Sequence, residues 1–140
     1  MAQLTDCVFC QKNDIIMEND LAKAFWDLHP VRLGHLLVVP KDHYATYFDV
    51  PQVTRQAMDA LLFRAKAFLD QQYHPAGYNV GVNVNPAGGQ SVMHAHIHLI
   101  PRYTGDVKDP RGGDAQFDSP SGSAATLTNG LVSGPGLAVG

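Results

Sequence analysis

Residues 94 to 100 read HAHIHLI, so three of the chain's seven histidines, His94, His96 and His98, fall within five positions. Strict alternation is the strand period. Extended backbone sends alternate side chains to one face about 6.5 Å apart, so the imidazoles share a face and Ala95, Ile97 and Leu99 share the other. One face packs and the other is available for chemistry. Two chemistries suit it. An H-x-H pair can converge on one zinc ion with further ligands from elsewhere, and His29, His35, His43 and His74 are additional donors. Alternatively, one imidazole attacks phosphorus or carbon while a neighbour positions the leaving group. The three histidines alone do not separate the two.

The elements that must hold this strand are readable nearby. LAKAFWDLHP, around Phe25 and Trp26, has the character of a strand ending at Pro30, VRLG is a connection, and HLLVVP from His35 is a short apolar run stopped by Pro40. From Asp49 the pattern changes to helical. Asp49 is placed as the N-cap, Pro51 suits a first turn, and Met58, Leu61, Leu62, Ala65, Phe68 and Leu69 follow three-and-four spacing to an end near Tyr73. YNVGVNV then alternates Tyr78, Val80, Val82 and Val84 against Asn79, Gly81 and Asn83, and NPAGGQ turns the chain into the histidine strand as an antiparallel hairpin. Strands, one long helix and further strands predict an α+β fold, an antiparallel sheet with the helix packed on one face.

The whole chain has 140 residues, 45% of them hydrophobic, enough for one core. A net charge of -3 excludes a broad nucleic-acid surface, because no basic excess exists to neutralise a phosphate backbone. No apolar run approaches the ~18 residues needed to span a bilayer, and no secretory signal is visible, so the expected location is the cytoplasm, with no membrane partner. Two cysteines, Cys7 and Cys10, form C-x-x-C, a spacing that in a reducing compartment suits metal binding or redox work. The expected catalytic domain is residues 1–112. Residues 113–140 are rich in Gly, Ser, Thr and Pro, lack Lys and Arg, and are expected to be a disordered tail.

Ahead of the triad, GGQSV supplies Gly88 and Gly89, which let backbone N–H groups approach a ligand, and the polar side chains of Gln90 and Ser91. GHLLVVPKDH places His35 and His43 at the two ends of an apolar strand. Together, GHLLVVPKDH and GGQSVMHAHIHLIPR resemble the histidine-triad (HIT) family of nucleotide hydrolases and transferases, whose signature alternates three histidines with apolar residues. The likeness covers roughly residues 5 to 112.

The resemblance implies specific roles. His96 would be the nucleophile, forming a nucleotidyl-histidine at the α-phosphorus that water then cleaves. His98 would contact the phosphate with Gln90, Ser91 and the Gly89 turn, and His35 would support the triad from the neighbouring strand. Asn83 matches a polar position beside the phosphate, Asp27 the acid that holds the ribose hydroxyls, and Phe9, Phe25 and Trp26 would wall the base. As in many bacterial members, Cys7, Cys10, His43 and His94 would hold a structural zinc; nothing around the cysteines resembles the strand-to-helix setting of a redox motif. Arg102 and Arg111, after the triad, resemble the dinucleoside-polyphosphate-cleaving branch, with cations placed to stabilise a polyphosphate leaving group. A nucleoside phosphoramidate hydrolase, or a nucleotide-binding or sensing module with little turnover, is the alternative. A homodimer is expected from the family.

Overall fold

The computed structural model describes residues 4–108. Arg111 and the tail from 113 onward lie outside the described residues. Five strands, β1 (Met17–Glu18), β2 (Ala22–Trp26), β3 (Leu36–Pro40), β4 (Gly77–Gly81) and β5 (Ile97–Arg102), form one sheet in the order β1-β2-β3-β5-β4. Every neighbouring pair is antiparallel. One helix, α1 (Gln52–Tyr73), joins β3 to β4 and packs on the sheet, the α+β arrangement expected from the sequence.

Helix α1 buries Thr54, Met58, Leu61, Ala65 and Leu69, spaced four, three, four and four residues apart, which puts them on one face. That face meets Ala22, Ala24, Leu36, Val38, Ala95, Ile97 and Leu99. The intervening residues Phe25, Leu37 and Val39 therefore point to the other side, where Phe9 of the N-terminal segment covers them. Because β2 runs parallel to β5 across β3, this second face carries three ordered rows. They are Lys23, Phe25 and Asp27 along β2 and just past its end, His94, His96 and His98 leading into β5, and His35, Leu37 and Val39 leading into β3 and along it in the reverse direction.

Several local boundaries differ from the sequence reading. Asp49 does not cap α1, whose N-cap is Pro51. It closes the preceding single-turn 3-10 helix Tyr47–Asp49, where its carboxylate accepts the Thr46 N–H at 3.1 Å and hydroxyl at 2.9 Å. Strand β4 stops at Gly81 rather than Val84, and β5 starts at Ile97, so of the three histidines His98 alone lies inside the strand. The reason is tertiary: the Ala95 N–H donates to the Tyr44 carbonyl at 2.7 Å, in the loop after β3, instead of to a strand neighbour. Residues 94–96 keep the alternation without the ladder. Strand β1 was not anticipated, its two residues being too few for a periodic signal. At Gly34, φ is +89°, and a Cβ would come within 3.0 Å of the Pro101 ring and 3.1 Å of the Tyr73 ring, so the turn into His35 requires glycine. No helix among the described residues is long and apolar enough to cross a membrane.

Candidate active site and metal centre

Two clusters occupy opposite ends of the face away from α1. At one end, the His35 Nε2 lies 2.9 Å from the His98 Nδ1 and 3.3 Å from the Asp27 carboxylate, which is itself 4.0 Å from the His98 Nδ1. The Val31 N–H donates to the His35 Nδ1 at 3.0 Å. That bond makes Nδ1 the acceptor, so the His35 proton is on Nε2 and is donated to the His98 Nδ1, which leaves the His98 proton on its Nε2. His35, His96 and His98 are all buried.

His96 sits in the middle of the row, its ring centroid 4.9 Å from that of His98. Its Nδ1 donates to the His94 carbonyl at 2.7 Å. A carbonyl can only accept, so Nδ1 carries the proton and Nε2 holds the lone pair. Phe9 stands edge-on to this imidazole at 5.2 Å between centroids and packs on Phe25 at 5.4 Å. Both aromatics are buried. Trp26 faces the other way, against Phe68 and Tyr73 of α1, and so does not join them in a wall, because strand alternation puts it on the helix side.

At the other end of the face, Cys7, Cys10, His43 and His94 bring four donor atoms within 4.8 Å of one another. The Cys7 sulfur is 3.3 Å from the His94 Nδ1, and the Cys10 sulfur 3.5 Å from the Nδ1 atoms of both His43 and His94. A tetrahedral zinc with bonds of about 2.3 Å to sulfur and about 2.0–2.1 Å to nitrogen separates its S and N ligands by about 3.6 Å. The residues fit the ion. The His94 Nε2 donates to the Pro40 carbonyl at 2.8 Å, which turns the Nδ1 lone pair toward the sulfurs. Burial pushes this imidazole down to about 4, so it is neutral and able to ligate. Four protein donors leave no open position, the pattern of a structural rather than a catalytic site.

The loop before the triad is arranged differently from the sequence reading. Gln90 is buried, and its amide is occupied by backbone groups of its own loop and of the loop after β3: its oxygen accepts the Asn85 N–H at 2.7 Å, and its nitrogen donates to the carbonyls of Ala45 and Val92 at 2.8 and 2.9 Å. The N–H groups of Gly88 and Gly89 close the 3-10 turn Pro86–Gly88 by bonding to the Asn85 and Pro86 carbonyls. This side chain and these two amides therefore shape the loop. Gly89 has φ of +97°, and the amide of Asn83 lies 3.4 Å from where its Cβ would be, so glycine lets Asn83 approach the turn. Ser91 is exposed at the end of this loop.

Arg102 is also placed otherwise than expected. Its guanidinium makes a two-pronged bond to Asp106 at 2.9 and 3.0 Å and a further bond to Asn79 at 2.6 Å. The Arg102 guanidinium holds the Asp106 carboxyl well below the usual carboxylate range, with help from the Tyr103 N–H and Arg32. The arginine fastens the loop after β5 to β4 and is not presented to a leaving group. Arg102→Ala should therefore lower stability by about 2 kcal/mol, the usual loss for charge-assisted bonds of this kind. It should affect all substrates equally; a melting curve and a two-substrate assay check both parts.

The sequence and the fold match known proteins. The HIT domain family model matches residues 9–105. Protein hit of Bacillus subtilis is 35% identical over 105 residues, covering 70% of this chain and 72% of that protein. The adenylylsulfatase HINT3 of Arabidopsis thaliana is 32% identical over 107 residues, 72% of this chain and 54% of that longer protein. Among solved structures, a zinc-bound histidine triad family protein from Mycobacterium smegmatis superposes with a TM-score of 0.66 at 30% identity, covering 86% of this chain and 94% of its own. With the family model spanning most of the chain and a relative 35% identical over 70% of it, this chain is a member of the HIT family.

Proposed function

We propose that the protein hydrolyses nucleotide derivatives at the α-phosphate through a covalent intermediate on His96. The observation that carries the reading is the 2.7 Å bond from the His96 Nδ1 to the His94 carbonyl, which keeps the lone pair on Nε2 without any general base. The Nε2 attacks the α-phosphorus, the bond from phosphorus to the leaving group breaks, and a nucleotidyl-His96 forms. The His98 Nε2–H, set by the chain from Val31 through His35, donates a hydrogen bond to the leaving group and stabilises the negative charge on it as its bond to phosphorus breaks; the group departs as its anion and takes any proton from solvent. Water then attacks the same phosphorus, the bond from phosphorus to the His96 Nε2 breaks, the proton of the water passes to solvent, and His96 returns to its starting state. Asp27, Asn83, Gly89, Gln90 and Ser91 belong to the substrate side of the proposal, Gln90 and Gly89 by holding the loop and Ser91 by contact, with Asp27 toward the ribose.

Zinc at Cys7, Cys10, His43 and His94 ties the N-terminal segment to the histidine row and takes no part in bond making. The named activity of the Arabidopsis relative, adenylylsulfatase, supports cleavage beside an adenylyl phosphate. With Arg102 bound to Asp106 and Asn79, charge near the triad no longer favours a polyphosphate leaving group. Dinucleoside polyphosphates therefore enter the proposal on the sequence resemblance alone. The test is a panel of diadenosine tri- and tetraphosphate, adenosine phosphoramidate and adenylyl sulfate, with rapid quench and mass spectrometry of the protein. An adenylyl adduct on His96 with burst kinetics is expected. Tight nucleotide binding with no turnover on any of them would make the protein a binding module. Light scattering of the purified protein tests the homodimer that accompanies the reading.

A further inference from the structure

Lys23 is 4% exposed, the second residue of β2. Lysine is almost never buried to this degree unless paired, because its ammonium loses its hydration. Its Nζ donates to two backbone carbonyls, Cys10 at 3.3 Å and Lys12 at 3.1 Å, both in the N-terminal segment that carries the two thiols. Lys23 thus reaches from the sheet into the loop at the end of the face where the four metal donors converge.

Those donors come from three separate pieces of chain: the loop with Cys7 and Cys10, the turn after β3 with His43, and the approach to β5 with His94. The two imidazoles are fixed by the sheet and its connections. The thiols belong to a loop with no strand partner of its own among the described residues, and the sulfur-to-nitrogen distances of 3.3–3.5 Å require it to be placed closely.

We propose that Lys23 is the positioning residue of the metal centre, a brace that holds the C-x-x-C loop over the sheet so that both sulfurs meet His43 and His94. The inference rests on the zinc reading of that cluster. Lys41 is the internal control. It directly follows β3, and its ammonium is paired with the Glu18 carboxylate at 2.7 Å.

The experiment compares unmodified protein, Lys23→Met and Lys41→Met by competition for zinc with a chromophoric chelator, and by melting the metal-loaded and metal-stripped forms of each. Lys23→Met should bind zinc about 10- to 100-fold more weakly, the range for loss of a group that orients metal ligands. Lys41→Met should stay within about twofold of the unmodified protein. The gap between loaded and stripped melting temperatures should shrink in Lys23→Met alone. If Lys23→Met does not fold, Lys23→Gln, which keeps a shorter donor, should show an intermediate weakening. Unmodified protein that holds no zinc overturns the reading of the whole cluster. Zinc held by the unmodified protein with the same affinity in the Lys23 variant, or equal destabilisation of both forms, overturns the brace while leaving the zinc site in place.

Discussion

His96→Ala should lower turnover by at least about 10³-fold on every substrate the unmodified protein cleaves, while nucleotide binding changes little. The covalent path needs a lone pair at this one position, and loss of a nucleophile removes stabilisation realised in the transition state rather than in the bound ground state. The neighbouring His98 does not replace it, because its Nδ1 accepts from His35 and its Nε2 carries the proton. The fold should survive. The side chain gives up its hydrogen bond to the His94 carbonyl, a loss of about 1 kcal/mol, along with its ring contacts to Phe9 and His98. Steady-state kinetics, nucleotide titration and a melting curve together make the test. A variant that retains more than a few per cent of activity, or an adduct trapped on His98, would remove His96 from the role.

The second large effect concerns the metal. Purified protein should carry about one zinc per chain, and Cys7→Ser or Cys10→Ser should lose it and melt roughly 15 °C lower. A site filled at a thousand times its dissociation constant stabilises the native state by about 4 kcal/mol, and a domain of this size shifts by about 4 °C for each kcal/mol. The loop that would be released is the one that presses Phe9 against His96, so activity should fall as well. It should fall less than in His96→Ala, since no reacting atom is removed. Elemental analysis that finds no zinc in reduced, chelator-free protein would sink the assignment. Activity lost in proportion to zinc, and restored in proportion to it, would instead point to a catalytic metal.

Much of this was legible because the period of two survives beyond the strand itself. HAHIHLI put the three imidazoles opposite Ala95, Ile97 and Leu99, and in the structure those apolar residues do pack toward α1. The spacing of Met58, Leu61, Ala65 and Leu69 marked the helix for the same reason. What was not legible depended on partners distant in sequence. The start of β5 is set by a bond from Ala95 to Tyr44, and the fates of Gln90 and Arg102 by Ala45, Asn79 and Asp106. A polar side chain next to a signature motif reads as a ligand contact whether it faces substrate or backbone. Lys23 was missed although a signal existed: it alternates with Phe25 and Asp27, and a lysine in register with a buried phenylalanine on a central strand needs an explanation.

His94 serves both ends of the face through different parts of one residue. Its ring nitrogens meet the sulfurs and Pro40, while its backbone oxygen orients His96. A side chain can be exchanged by mutation, but a backbone oxygen is present whatever residue occupies the position. A lineage could therefore discard the cysteines and replace the position-94 imidazole with another extended, buried residue, and the nucleophile would keep its tautomer. A metal held by these side chains would be a replaceable accessory in evolutionary terms, whereas the orientation of the His96 imidazole is inherited with the path of the main chain.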